Sequence, residues 1–177
     1  MKKIFKRTLL TFAGILAVSV LFAQMDKSKR PSPPETATGI VAGSNITINY
    51  SSPAVKGRKI WGGLVPYDKV WRTGANEATI FETSKDIKVE GKELKAGKYS
   101  LYTIPGENQW TFIFNSKTGQ WGINKDGSAS DDPASDVLRV TVKPRKSASF
   151  NERMKFVVNK KGFALDWENL EVPVSIK

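Results

Sequence analysis

The sequence contains neither cysteine nor histidine. Without thiols there can be no disulfide framework, even in an oxidising compartment, and no thiolate nucleophile. Without imidazole, Ser-His-Asp and Cys-His catalysis are excluded, as is histidine general-base chemistry. The usual zinc, copper and haem ligands are missing for the same reason. No glycine-rich phosphate loop of the Walker or dinucleotide type occurs. Past Ala23 no segment keeps a helical hydrophobic period. The chemistries left open are a carboxylate pair, a Ser-Lys dyad, an oxygen-ligand cation site, or binding without reaction. No residue is assigned a catalytic role, and no metal or cofactor is expected.

The chain has 177 residues, 40% of them apolar, with five Trp and nine Phe, enough to fill the core of one domain without staples. Its N-terminus carries a basic start, "MKKIFKR", an apolar run of 16 residues, "TLLTFAGILAVSVLFA", and the small residue Ala23 before Gln24. That layout predicts a secretory signal peptide over residues 1–23. The run is shorter than the ~20 residues of a membrane span, so no stable span is expected after cleavage. No Cys follows it, so a lipid anchor is unavailable. The expected location is the periplasm or the extracellular space.

Acidic residues are the minority, 17 against 28 basic, for a net charge of +11. Lys2, Lys3, Lys6 and Arg7 fall in the signal segment, which leaves 24 basic residues and a charge of +7. The excess is spread along the chain, with short clusters only at Lys27–Arg30 and Lys143–Lys146. A nucleic-acid binder concentrates such charge on one face, so no nucleic-acid partner is expected.

Residues 24–38, "QMDKSKRPSPPETAT", are polar and proline-rich and read as a flexible leader. Structure is expected from Gly39, with one domain over residues 39–177. "ITINYSSP" alternates Ile46, Ile48 and Tyr50 with polar residues, the period of a half-buried strand. "IKVEGKEL" turns at Glu90-Gly91, and "GKYSLYTIPGENQWTFIFN" predicts a hairpin of 98–104 with 110–115. "DVLRVTVKP" directs Leu138, Val140 and Val142 to one side. Residues 153–177 predict three further strands, burying Met154, Phe156 and Val158, then Phe163, Leu165 and Trp167, then Val172, Val174 and Ile176. The sum is an all-β fold, a single antiparallel sandwich or barrel-like domain.

"KVWRTGANEATIFE", Lys69 to Glu82, gathers the most suggestive polar groups. Arg72 could grip a carboxylate or phosphate, Asn76 and Glu77 could bond a ligand, and Trp61 and Trp71 could form a stacking wall with Tyr67 near it. The candidate binding set is therefore Trp61, Tyr67, Arg72, Asn76 and Glu77, for a small-molecule or saccharide ligand. The reading favoured for the stretch is structural. Arg72 and Glu77 would pair with each other or with the backbone, Gly74 would supply a turn, and the Trp residues would be core.

Three weaker candidates remain. Asn124, Asp126, Asp131 and Asp132 suggest a calcium loop, but their spacing fails the EF-hand pattern, and a solvated turn-rich loop is favoured. Glu77, Glu82, Glu107, Asp166 and Glu168 could supply the facing carboxylates of a glycosidase, which need about 5–9.5 Å between them. Ser51 or Ser52 with Lys56 or Lys59 could form a dyad if the lysine were buried.

The run "SSPAVKGRKIWGGLVPYDKVWRTGANEATIFETS", with "GKELKAGKYSLYTIPGENQWTFIFN", "GQWG", "DVLRVTVKP" and "LDWENLEVPVSI", resembles the bacterial family known as domain of unknown function 2911. The resemblance covers about Gly39 to Lys177. It implies exported bacterial proteins, single-domain or occasionally fused to other modules, and lifts no residue to catalytic status. Three readings follow: a non-catalytic binding or structural module of the cell envelope, a carboxylate enzyme acting on an envelope saccharide, or an adhesion and assembly module.

Overall fold

The computed structural model describes residues 26–177, so the predicted signal peptide lies outside the described residues. Two units are distinguished, one up to Arg30 and one from Pro31 to Lys177. In the first, Lys27–Lys29 form a single 3-10 turn whose Asp26 side chain caps the Ser28 amide.

The second unit is all-β and its sheets are antiparallel. It contains β1 (Pro34–Val41), β2 (Ser44–Ser51), β3 (Thr79–Thr83), β4 (Ile87–Val89), β5 (Lys92–Leu94), β6 (Gly97–Ile104), β7 (Trp110–Asn115), β8 (Asp136–Val142), β9 (Arg145–Asn159) and β10 (Gly162–Ser175). Six of these form one sheet in the order β1-β2-β3-β6-β7-β8, and β9 with β10 and β4 with β5 form two-stranded ribbons.

Regular structure starts at Pro34, inside the stretch expected to be a flexible leader. β1 escapes a periodicity reading because it is an edge strand with one buried residue, Val41. Its register comes instead from its turn: Ala42 and Gly43 both take positive φ, the geometry of a two-residue hairpin loop, and all eight residues of β1 pair with β2.

The alternation read in β2 is realised, with Ile46, Ile48 and Tyr50 inside. Together with Phe81, Leu101, Phe112, Phe114 and Val140 they make the inner face of the sheet. The β9–β10 ribbon supplies the other half of the core through Met154, Phe156, Phe163, Leu165 and Trp167. Residues 52–55 extend the ribbon beside β9, where the Val55 amide donates to the Glu152 carbonyl and the Met154 amide to that of Pro53. β4 extends it beside β10, through the reciprocal Lys88–Lys177 backbone bonds.

The last two predicted strands are one strand, β10, but a bent one. Register shifts fall on both sides of Glu168, which has φ 54°. The bend returns the chain so that the Ile176 amide donates to the Lys161 carbonyl at 2.8 Å. Gly162 makes that return possible, because a Cβ there would overlap the Val174 carbonyl.

Both faces of the central sheet are covered. Opposite the main core, Tyr102, Ile113 and Ala78 form a small apolar cluster beneath the 116–135 segment. Gln120 and Ser130 fix that segment on the Tyr102 hydroxyl at 2.8 and 3.2 Å.

Candidate functional site

Four tryptophans, Trp61, Trp71, Trp110 and Trp167, meet at one end of the core with ring centroids 5.0–6.3 Å apart. Trp61 is only 8% exposed, and its indole contacts the other three rings edge to face. It is therefore core and offers no stacking wall to a ligand. The exposed indole belongs to Trp121, at 50%.

Trp71 anchors the next stretch of chain. Its amide donates to the Thr103 carbonyl at 2.7 Å and its carbonyl accepts from the Thr103 amide at 2.9 Å. Two residues on, Thr73 is fully buried with φ 56°, a strained backbone for a β-branched side chain. The surroundings over-determine it: its hydroxyl donates to Thr103 Oγ1 at 3.1 Å, and its carbonyl accepts from the Thr79 hydroxyl at 2.8 Å. Strain of this kind persists only where the neighbours enforce it, and it recurs at binding and catalytic sites.

Arg72 lies between these two clamped residues. Its side chain passes over Gly122, where a Cβ would overlap Arg72 Cδ. Gly122 is held there because residues 76–78 and 120–122 form a short antiparallel bridge, with the Gly122 amide donating to the Asn76 carbonyl at 3.0 Å and the Ala78 amide to the Gln120 carbonyl at 3.2 Å. The expected pairing of Arg72 is not found. Among the described residues no ion pair includes it, and its buried Nε has no hydrogen-bond partner. Burial alone pushes the guanidinium below its ordinary value, since no neighbouring carboxylate opposes the shift.

Arg72 is one of the residues lining a cleft of about 620 Å³. One side comes from Leu64 to Arg72, the other from Ile123 to Pro133, so two stretches singled out separately in the sequence share one opening. Leu64, Val70, Trp71, Ile123 and Ala129 make much of its lining apolar, while Lys69 and Asp131 add charge. Asp131 is half-buried. Desolvation raises its carboxyl above the ordinary value, its own backbone amide works against that, Asp136 adds to it, and Arg139 and Asp132 act in opposite directions more weakly. Arg72 is not among the groups it feels.

The other predicted site residues do not join this cleft. Asn76, at φ 59°, donates from Nδ2 to the Ser32 carbonyl at 3.0 Å and is a structural tie. Glu77 is half-buried and stands opposite Trp121 in the short bridge. Tyr67 packs its ring against Gly62, and desolvation, then Glu107 and Glu168, raise its phenol. Asn124 and Asp126 spend their side chains on the 124–128 turn, Asn124 on Ser128 and Ala129, Asp126 on the Ser128 amide and hydroxyl. Among the described residues no cluster of three or more acidic groups could hold a metal ion. Ser52 donates to the Met154 carbonyl at 2.6 Å, and Lys56 and Lys59 are exposed, so the dyad does not form. Glu82 is paired with Lys98 at 3.1 Å on the surface.

A second hollow, of about 570 Å³, lies between the end of β8 and β10. Its Arg145 and Glu171 satisfy each other. Only the Arg72 cleft presents a desolvated cation that the described residues leave uncompensated. Sequence reasoning missed Gly122 as the seat of that cation and Asp131 as its neighbour across the opening. "GQWG" carried the signal for the first, since a buried Gly beside a Trp marks a close approach.

The class of protein is thus all-β, a six-stranded antiparallel sheet closed by a bent ribbon, with a cleft on the outer face of the sheet. The chain matches the family described as Protein of unknown function (DUF2911) over residues 32–176, and it belongs to that family. No curated protein and no solved structure matches it. Among the described residues no helix is long and apolar enough to cross a membrane.

Proposed function

We propose that this protein is an exported, non-catalytic binding module of the cell envelope that captures a small organic anion in the Arg72 cleft. The observation that carries this reading is the guanidinium itself, half-buried and unpaired between two residues locked in place. A planar fork of donors in a partly dry, largely apolar opening suits a carboxylate better than water does. The volume falls within the range of about 300–1,000 Å³ that holds small ligands. The lack of thiol and imidazole favours binding over reaction. The basic start and apolar run of the N-terminus support export.

Titration calorimetry of the mature chain with benzoate, glucuronate and inorganic phosphate tests the reading. At least one should bind, and Arg72→Gln should weaken it about ten-fold or more, the loss expected when a charged partner is removed. Binding that survives Arg72→Gln unchanged, or no binding across the panel, refutes it.

A further inference from the structure

We infer that the cleft takes a zwitterion, a short peptide with both termini free, whose carboxylate is held by Arg72 and whose ammonium is held by Asp131. This rests on the anion reading above and adds the second charge. Both residues line the same opening, one from each bordering segment. They are opposite in sign, both are taken partly out of water, and neither compensates the other. Asp131 accepts no hydrogen bond from another described side chain, and the one cation it feels, Arg139, is already bonded to Asp136. Uncompensated charges of both signs in one cleft are costly unless a ligand supplies the complement of each. An anion alone would answer Arg72 and leave Asp131 facing added negative charge. The same opening is also lined by Val70, Trp71, Ile123 and Ala129, which suits the carbon skeleton of such a ligand.

Equilibrium dialysis with three randomised tripeptide pools tests this: free at both termini, N-acetylated, and C-amidated, with benzoate and inorganic phosphate as anions lacking an ammonium. The wild-type chain should retain the free pool about ten-fold more than either capped pool. Asp131→Asn should erase the gap between free and acetylated pools and keep that between free and amidated pools, and Arg72→Gln should do the reverse. The capped pools judge the idea on the unaltered protein, whatever the variants do. Equal retention of free and acetylated pools overturns the ammonium contact. If peptides are not retained but benzoate or phosphate binds through Arg72, the zwitterion is overturned and the anion reading stands. If nothing binds, both fall.

Discussion

A guanidinium that is desolvated and has no acid beside it lowers the stability of the fold that holds it. Had Arg72 been paired as expected, its removal would strand a partner at a cost of about 3–5 kcal/mol. With no partner to strand, Arg72→Met should leave the urea midpoint unchanged or raise stability by about 1 kcal/mol, while weakening the proposed anion binding about ten-fold or more. Asp131 gives a pH signature. Its carboxyl is raised in the folded chain, so the folded state holds its proton at pH values where the unfolded state has released it. Stability from this group is therefore lost as pH rises above the ordinary value of 3.8 through the folded one. Asp131→Asn should be more stable than wild type at neutral pH, and the advantage should shrink as pH falls toward 3.8. Urea titrations at several pH values check the sign, and an advantage that grows on acidification rules the account out. Arg72 stood out in the sequence as a residue type able to bind anions. Its lack of a partner was not legible, because that depends on residues 76–78 meeting 120–122, a pairing that no spacing rule announces.

At the scale of elements, alternation identified what it could. β2 and β8 bury one clear face against the core, β6 and β7 are buried on both faces, and the limits of all four follow the turn residues. β1 was hidden because a polar edge strand has no core period to display. β10 was read as two strands because its inward set breaks at Glu168–Leu170, which is where its register slips. The bend depends on Gly162, so two glycines offer a controlled comparison. Gly91 also has positive φ, at 80°, but open space where a Cβ would go. Gly91→Ala should cost about 1 kcal/mol, the backbone strain alone. Gly162→Ala adds a collision with the backbone and should cost at least about 2 kcal/mol more. Equal losses in thermal melts would show that the close return of β10 is not a constraint.

For the unit from Pro31 to Lys177, the aromatic end of the core is where sheet, loop and ribbon converge. Trp110 comes from β7, Trp61 and Trp71 from the long connection after β2, and Trp167 from β10. Trp167→Ala should cost about 3–5 kcal/mol, the range for truncating a large buried aromatic side chain. It should also collapse the near-ultraviolet circular dichroism that four coupled indoles produce. A retained signal would mean that the rings do not act as a group. The partners in this cluster lie far apart along the chain, as do Ala54 with Arg153 and Val89 with Ile176.

That wide separation bears on biogenesis. Until Ile176 is available, Val89 has its β5 partner Lys92 but not its second bridge, and until Trp167 is available the aromatic cluster lacks one of its four rings. Such non-local closure delays folding, so the unit cannot lock until β10 has been made.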